Sequence, residues 1–258
     1  MTNVDLYVAG AYPNEIELLQ QKSLPIETSL VTVSKDHDLT LEECFQRFDI
    51  IHKVTDNLST IKRITYEVLD DFYSVDNCKY VELRSGPREF VEHGTTNSDY
   101  VQSVLDTMNK YHYDHPDHYV TCPQLLLSVN RSHSVQKAEE VIKLAIQYFN
   151  NNENSGICGI DFSGNCYAAD FAKFEHLFEY ARSQHNIPIT LHFAECDNYN
   201  DSKSILNFHP NRVGHAAVVT RELEDDLMKR RIPDLPASQW STQKGSNQIP
   251  LRNARFLY

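Results

Sequence analysis

His192 and Glu195 are the residues whose types and spacing suit metal-assisted chemistry best. They stand three apart in the stretch TLHFAECDN (190–198), after an apolar run that begins at Pro188. A histidine at a strand end can bind Zn²⁺, which lowers the pKa of a bound water towards neutrality. A nearby glutamate can then carry protons between that water and a substrate. On spacing alone, a core histidine followed by a solvated loop glutamate is the commoner interpretation.

Polar residues also end the neighbouring apolar runs, which are KYVELR (79–84), QLLLSV (124–129), ICGIDF (157–162), PITLHF (188–193) and RVGHA (212–216). These runs are nearly continuous, as is typical of parallel strands that are covered on both faces. In a barrel of parallel strands, the carboxyl ends of the strands form the active-site face. Since Asp161 and His215 lie at two such ends, metal chemistry and a purely structural role become about equally well supported.

The elements that must position these residues alternate along the chain. Apolar residues at helical spacing predict helices that begin near Thr40, Ile61, Val101, Val135 and Phe171, and a last one from Thr220 to Arg230. A strand followed by a helix, repeated every 20 to 45 residues, predicts an α/β fold. The length of 258 residues suits a single (β/α)₈ barrel.

Composition excludes several classes of protein. The net charge is −12 and no stripe of Lys and Arg is present, so we expect no nucleic-acid partner. No stretch approaches the roughly 18 apolar residues of a membrane helix, and the first residues do not resemble a signal peptide. The six cysteines show no C-x-x-C pairing. We therefore predict a soluble cytoplasmic protein without a membrane partner.

Five stretches, in order along the chain, resemble the adenosine deaminase family. They are TLEECFQRFDIIHKVT (40–55), KYVELRSGPR (79–88), GIDFSGN (159–165), ITLHFAE (189–195) and RVGHA (212–216). The resemblance covers residues 14 to 233 and is strongest to the adenosine deaminase-like branch, which acts on N6-methyl-AMP and related N6-substituted purine nucleoside monophosphates. It implies a TIM-type barrel, one zinc ion, hydrolytic deamination to IMP in purine nucleotide metabolism, and a purine nucleotide as the small-molecule partner.

The resemblance also implies catalytic roles for individual residues. The H-x-x-E pattern makes His192 a zinc ligand and Glu195 the proton donor to the purine ring. The R-x-G-H pattern places His215 beside the attacking water, as an electrostatic and orienting group.

The resemblance also implies a second set of residues, which bind the substrate. It comprises His52, Ser85, Gly86, Pro87, Arg88, Asn130 and Gly164. The guanidinium of Arg88 offers the forked donor pair that suits a phosphate. Gly164 stands where a side chain would block close approach of the purine. Asn130 and Asn165 stand where the branch usually has Asp.

Departures from the family pattern predict an impaired enzyme. Tyr7 and Ala9 stand where two further histidine ligands are expected, and Asp225-Asp226 lies in a predicted helix rather than at a strand end. His192 is then the one family ligand that survives. Ala216 stands where the family usually has Gly, which a positive φ at that position would favour.

The fold prediction is an incomplete (β/α)₈ TIM-type barrel with strands seven and eight missing. The expected domains are a partial barrel over residues 1–233 and a divergent, disordered tail over 234–258, and we expect the ends to reflect an alternative transcript or a gene-model error. Two alternatives to deamination of N6-methyl-AMP stay open: an inactive truncated isoform that at most binds a purine nucleotide, and an enzyme that acts on adenosine itself. Another metal-dependent barrel amidohydrolase carries less weight. We expect a monomer.

Overall fold

The computed structural model describes residues 52–53, 55–75, 77–151 and 156–236. The predicted helix that begins near Thr40 lies outside this part of the chain, as do Tyr7 and Ala9. The chain divides into two compact units. The described residues of the first are 52–53, 55–75, 77–79 and 87–122, here called the helical unit. Those of the second are 80–86, 123–151 and 156–236, here called the sheet unit.

The helical unit contains helices α1 (Leu58–Ser74) and α2 (Asn97–Asp114), with a short 3₁₀ helix at Val91–His93. Both helices begin at a polar cap. The side chain of Asn57 accepts a hydrogen bond from the Thr60 amide. Thr96 and Asp99 form a reciprocal capping box, which satisfies amide groups that would otherwise lack partners. The two long helices predicted here are confirmed.

The sheet unit alternates strands with helices. Its elements are β1 (Glu82–Ser85), β2 (Gln124–Asn130), α3 (Val135–Asn151), β3 (Ile157–Ser163), α4 (Glu175–His185), β4 (Ile189–Phe193), α5 (Tyr199–Phe208), β5 (Arg212–His215), α6 (Arg221–Arg230) and β6 (Asp234–Pro236). The six strands pair in parallel and in sequential order. Sequential order without a reversal is typical of the barrel type of α/β fold rather than the doubly wound type. The predicted partial barrel is confirmed at this level.

Burial of the strands explains their apolar sequences. All five residues of β4 are buried, as are five of the seven residues of β2. Helix α3 covers part of the sheet with Ala138, Val141, Ile142 and Ala145, which are all buried. Because both faces of these strands are covered, their residues are apolar, and polar side chains come immediately after them at the carboxyl ends of the strands.

Strand β6 corrects one detail of the prediction. The sequence predicts no strand after residue 233, yet Asp234 pairs with Val213 and Pro236 with His215. Pairing along one edge of a strand needs only a few backbone hydrogen bonds, and a proline is tolerated at such an edge. A strand of this kind leaves almost no apolar pattern in the sequence. The rest of the predicted tail, 237–258, lies outside the described residues.

Two helices of the sheet unit differ from the prediction. Helix α5 is not predicted, because its buried face includes Asp201 and Ser202 and so breaks the apolar period. The helix predicted near Phe171 begins as a 3₁₀ turn over Phe171–Lys173, and α4 starts only at Glu175. No helix in the described ranges is both long and apolar enough to cross a membrane.

Asp234 gives the sheet unit a pH-dependent stability. Burial raises the pKa of Asp234 to about 6, and its Oδ1 has no hydrogen-bond partner within the described part of the chain. The folded form therefore disfavours the carboxylate, and stability should fall as pH rises from about 4 to about 6. The full difference in pKa corresponds to about 3 kcal/mol, which solvent screening of this partly exposed group reduces to about 1–2 kcal/mol.

Substituting Asp234→Asn should remove that pH dependence. Urea unfolding of the variant between pH 4 and pH 7.5 is the measurement, and the gain over the unmodified chain should be present at pH 7 and absent at pH 4. Asp225→Asn, on the exposed side of α6, is the matched control. An equal gain at both pH values would contradict the assignment to the carboxylate.

Candidate active site

His192 and Glu195 are brought together by the end of β4. His192 is the fourth residue of the strand and is buried, with 3% of its surface exposed. Ala194 then adopts a positive φ of 47°. After this turn, Oε2 of Glu195 lies 3.5 Å from Nδ1 of His192. The predicted pair is thus a contact in the folded chain.

His215 completes this group from the end of β5. Its Nε2 lies 2.9 Å from Nδ1 of His192 and 3.7 Å from Oε1 of Glu195. The chain leaves the strand through two residues with positive φ, 73° at His215 and 46° at Ala216. The conformation that favours Gly at position 216 is therefore present, and Ala adopts it at a cost of about 1–2 kcal/mol. The amide of Ala216 holds the turn by donating to the Phe193 carbonyl, 3.0 Å away.

A buried ion pair lies on the other side of the His192 ring. Nη1 of Arg84 donates to Nε2 of His192, and Nε of Arg84 lies 3.4 Å from Oδ2 of Asp161. Both charged side chains are almost fully buried, at 4% and 0% exposure. The Ser128 hydroxyl donates to Oδ2 of Asp161 at 2.8 Å. The sequence places Arg84 and Asp161 at strand ends without predicting that they contact His192.

Both histidines are neutral in this setting. Burial, and to a smaller extent the nearby Arg84 guanidinium, lower the pKa of His192 to about 3. Burial also lowers the pKa of His215 to about 3, with a further contribution from His192. Since Nε2 of His192 accepts from Arg84, the neutral ring carries its proton on Nδ1 and donates it to Nε2 of His215. Each ring is therefore fixed in a single tautomer.

Arg131 supports the position of His192 and is not identified from the sequence. Its Nη2 donates to the main-chain carbonyl of His192 at 3.1 Å, and its Nη1 donates to the carbonyl of Ala169 at 2.9 Å. Asp201 on α5 balances its charge at 2.9 Å. The guanidinium also lies over the ring of Phe162, 4.6 Å from the ring centroid. One buried side chain thus connects β2, β4 and α5.

Three residues of the predicted substrate set lie in the helical unit. Nη2 of Arg88 donates to the carbonyl and the hydroxyl of Thr55, at 3.1 and 2.6 Å, and Nη1 lies 3.5 Å from the carbonyl of His52. Pro87 is buried. The guanidinium of Arg88 therefore holds the main chain at His52 and Thr55, and the phosphate contact stays a prediction.

The other four residues of this set lie in the sheet unit. Ser85 ends β1 and is buried, and Gly86 follows it. Asn130 ends β2, while Gly164 follows β3 with a φ of 98°. A Cβ atom at Gly164 would lie 2.5 Å from Oδ1 of Asn130. Gly164 is thus required by its backbone conformation and by the packing of Asn130, whether or not a purine approaches it.

The donor set for a metal can be tested on the described residues. His192, Glu195 and His215 each offer a ligand atom, and these atoms lie within 4.8 Å of one another. Oε2 of Glu195 is a buried oxygen without a hydrogen-bond partner in the described ranges. Two imidazoles and a carboxylate suit zinc. Asp226 lies on α6, where it pairs with Lys203 and Arg230, so it is not at a strand end.

The model of the adenosine deaminase family matches residues 12–247. The chain belongs to the adenosine deaminase family. The match continues past residue 233, so the end of the resemblance predicted there is wrong.

Relatives in this family share about a third of the aligned residues. The N6-mAMP deaminase of Arabidopsis thaliana is 30% identical over 235 residues, which are 84% of this chain and 64% of that protein. The N6-methyl-AMP deaminase of Bos taurus is 30% identical over 224 residues, which are 84% of this chain and 62% of that protein. The chain thus spans slightly less than two thirds of the length of these relatives.

Solved structures of the adenosine deaminase family confirm the fold class. The crystal structure of the Arabidopsis N6-mAMP deaminase superposes with a TM-score of 0.77 at 30% identity, covering 90% of this chain and 69% of that one. Arabidopsis ADAL in complex with IMP superposes with a TM-score of 0.77 at 30% identity, covering 90% and 68%. The same protein in complex with GMP gives a TM-score of 0.79 at 29% identity, covering 92% and 69%.

Proposed function

We propose that the site serves the zinc-dependent hydrolytic deamination of N6-methyl-AMP and related N6-substituted purine nucleoside monophosphates to IMP. The observation that carries the proposal is the contact of His192, Glu195 and His215 at the ends of two neighbouring parallel strands. Membership of the adenosine deaminase family supports the reaction class. Relatives named N6-methyl-AMP deaminase support the substrate class.

In this proposal each of the three residues has one role. His192 would hold the zinc ion, which when bound would supply a water of lowered pKa. Glu195 carries the proton that is delivered to the purine ring, and its position beside a buried imidazole keeps that carboxyl group out of bulk water. His215 would lie beside the attacking water as an electrostatic and orienting group. Arg84 positions the ring of His192 by donating to Nε2. Arg131 positions the main chain of His192 by donating to its carbonyl oxygen.

The substrate-binding roles are part of the same proposal. Arg88 would receive the monophosphate, with His52, Ser85, Gly86 and Pro87 on the sugar-phosphate side, while Asn130 and Gly164 would lie near the purine. IMP and GMP in complexes of Arabidopsis ADAL support a nucleotide rather than a nucleoside. Adenosine is the nearer alternative substrate. We further propose a cytoplasmic monomer.

This chain by itself is expected to be impaired. Tyr7 and Ala9 stand where the family resemblance expects two histidine ligands, and neither alanine nor, in most settings, tyrosine binds zinc. Fewer ligands weaken zinc binding steeply, because each contributes to the total binding free energy. The second candidate is thus a chain that binds a purine nucleotide without turning it over, and the single surviving family ligand favours it.

A combined measurement of zinc content and turnover tests the proposal. The purified full chain is assayed with N6-methyl-AMP by loss of the substrate ultraviolet band, with adenosine as the comparison substrate. We expect substoichiometric zinc after purification and slow turnover that prefers the monophosphate. Glu195→Gln should reduce any turnover by about 10²–10⁴-fold, as expected for loss of a general acid.

A control variant and the choice of substrate distinguish the candidate functions. Glu224→Gln, an exposed substitution on α6, should leave turnover unchanged. Stoichiometric zinc with rapid turnover would overturn the expected impairment. Turnover of adenosine alone would refute the substrate class, and thermal stabilisation by IMP without any turnover would identify the nucleotide-binding alternative.

A further inference from the structure

We propose that the thiols of Cys166 and Cys196 form a reversible disulfide in the presence of a hydroperoxide, and that this bond moves the carboxylate of Glu195. Both cysteines are free thiols in the structure. Neither has a part in the roles proposed above. The inference rests on the proposed function only for its effect on turnover, because the disulfide and the movement of Glu195 can both be measured without a substrate.

The two cysteines stand at equivalent places on neighbouring strands. Cys166 comes three residues after the end of β3, and Cys196 comes three residues after the end of β4. Since β3 and β4 pair in parallel, both loops leave the sheet at the same edge. Both cysteines are buried, with 3% and 6% of their surface exposed. The fold thus places two buried thiols side by side at the active-site edge.

The two thiols are joined by a hydrogen bond, in which Cys166 donates and the sulfur of Cys196 accepts. A disulfide needs Cα atoms about 4.4–6.8 Å apart, and neighbouring strands of a sheet are spaced about 4.7–4.9 Å apart. Loops that leave neighbouring strands can therefore be bridged without unfolding either strand.

The surroundings make Cys196 the attacking sulfur. Burial raises the pKa of both thiols. At Cys196 the hydrogen bond from Cys166 and the guanidinium of Arg131 oppose this rise, whereas at Cys166 the same hydrogen bond adds to it. Because the thiolate is the nucleophile, Cys196 reacts first and Cys166 resolves the product. Burial makes the reaction slow and favours an oxidant as small as a hydroperoxide.

The oxidation proceeds in two balanced steps. The Cys196 thiolate attacks one peroxide oxygen and breaks the O–O bond, which leaves a sulfenic acid and a hydroxide ion that takes up the proton Cys196 released. The Cys166 thiol then attacks the sulfenic sulfur, and the S–S bond forms as the hydroxyl group leaves with the Cys166 proton as water. Each sulfur loses one electron and each peroxide oxygen gains one. A dithiol reductant reverses the change by thiol–disulfide exchange.

The disulfide has a direct mechanical effect on Glu195, which is the chain neighbour of Cys196. The Glu195 carboxylate lies 3.5 Å from Nδ1 of His192 and 3.7 Å from Nε2 of His215. Hydrogen-bonded thiols lie outside bonding distance, whereas a disulfide joins its sulfur atoms at about 2.0 Å. The turn that carries Cys196 must therefore move towards β3, and the carboxylate moves with it, away from the two imidazoles.

Mass spectrometry of the unmodified full chain tests for the disulfide. The reduced chain is treated with hydrogen peroxide, its remaining thiols are alkylated after unfolding, and its peptides are analysed with and without dithiothreitol. We expect one cross-linked peptide pair that contains Cys166 and Cys196, lacks two hydrogen atoms and is lost on reduction. Absence of this pair, or an equal yield of any other cysteine pair, would overturn the inference.

Three variants assign the chemistry. In Cys166→Ser the resolving thiol is missing, so Cys196 should accumulate as a sulfenic acid that dimedone traps. In Cys196→Ser the thiol of Cys166 should stay unmodified over the same time. Cys122→Ser removes a half-buried thiol of the helical unit that donates to Asn109, and the cross-link should form in it at the unmodified rate. Trapping at Cys166 instead of Cys196 would contradict the assigned order of reaction.

Nuclear magnetic resonance of the histidine side chains measures the movement of Glu195 without a substrate. The ring signals of His192 and His215 should differ between the reduced and oxidised chains, while those of the exposed His209 should not. Cross-linking without any change at the two buried rings would refute the effect on Glu195.

Turnover of N6-methyl-AMP separates this inference from the proposed function. Oxidation should lower turnover by about 10²-fold or more, as for loss of a general acid, and dithiothreitol should restore it. The double variant Cys166→Ser with Cys196→Ser should keep its turnover after peroxide treatment. Turnover that is unaffected by the disulfide would refute this inference and leave the proposed function standing. A cross-link with shifted histidine signals, in a chain that has no turnover when reduced, would support this inference and refute activity of the chain.

Discussion

Replacing Arg131 by Met should lower the free energy of unfolding by about 3–5 kcal/mol, because it leaves a buried carboxylate without its counter-charge. Arg131 and Asp201 pair at 2.9 Å with exposures of 2% and 7%. The substitution also removes the donors to the carbonyls of Ala169 and His192. Urea unfolding followed by circular dichroism is the measurement. A loss of this size is a large part of the 5–15 kcal/mol that holds an ordinary domain together.

The control for Arg131 is an arginine in an exposed pair. Arg63 and Glu67 on α1 pair at 2.7 Å with exposures of 39% and 42%, and Arg63→Met should cost no more than about 1 kcal/mol. Adding Asp201→Asn to Arg131→Met should recover part of the lost free energy of unfolding, because the unpaired buried carboxylate is then removed. If Arg131→Met costs no more than Arg63→Met, the buried ion pair does not stabilise this fold.

The parallel sheet and the proximity of polar side chains at its carboxyl edge could be predicted from the sequence. The apolar runs are continuous and each ends at a polar residue, so the rule that parallel strands share a carboxyl edge brings His192 and His215 together. The structure confirms this contact at 2.9 Å. The distance between the rings depends on the register of β4 and β5, which no local pattern specifies.

The supporting residues could not be predicted in the same way. Arg131 reaches a carbonyl that is 61 residues away in the sequence, and its counter-charge Asp201 lies on α5. Asp201 and Ser202 are buried on that helix, and their polarity hides the apolar period by which helices are recognised. The same buried ion pair thus explains both a missed helix and a missed positioning residue.

Replacing Phe162 by Ala should cost about 3–5 kcal/mol, as expected for deleting a fully buried aromatic side chain. Phe162 on β3 is 0% exposed, and its ring centroid lies 5.4–5.6 Å from those of Phe171, Phe174 and Phe178. Its neighbour along the strand is Asp161, so a cavity here should also disturb the ion pair beside His192. Thermal and urea unfolding measure the loss.

Tyr167 provides the matched control for Phe162, because it is an aromatic residue that follows the same strand and is 72% exposed. Tyr167→Ala should change stability by no more than about 0.5 kcal/mol. Since the Arg131 guanidinium lies over the Phe162 ring, the double variant with Arg131→Met should not be additive, with a coupling of about 0.5–3 kcal/mol. Strict additivity would mean that the aromatic cluster and the buried ion pair stabilise the end of β4 independently. A measurable coupling would mean that the aromatic core beneath β3 and the arginine that holds His192 act as one structural unit.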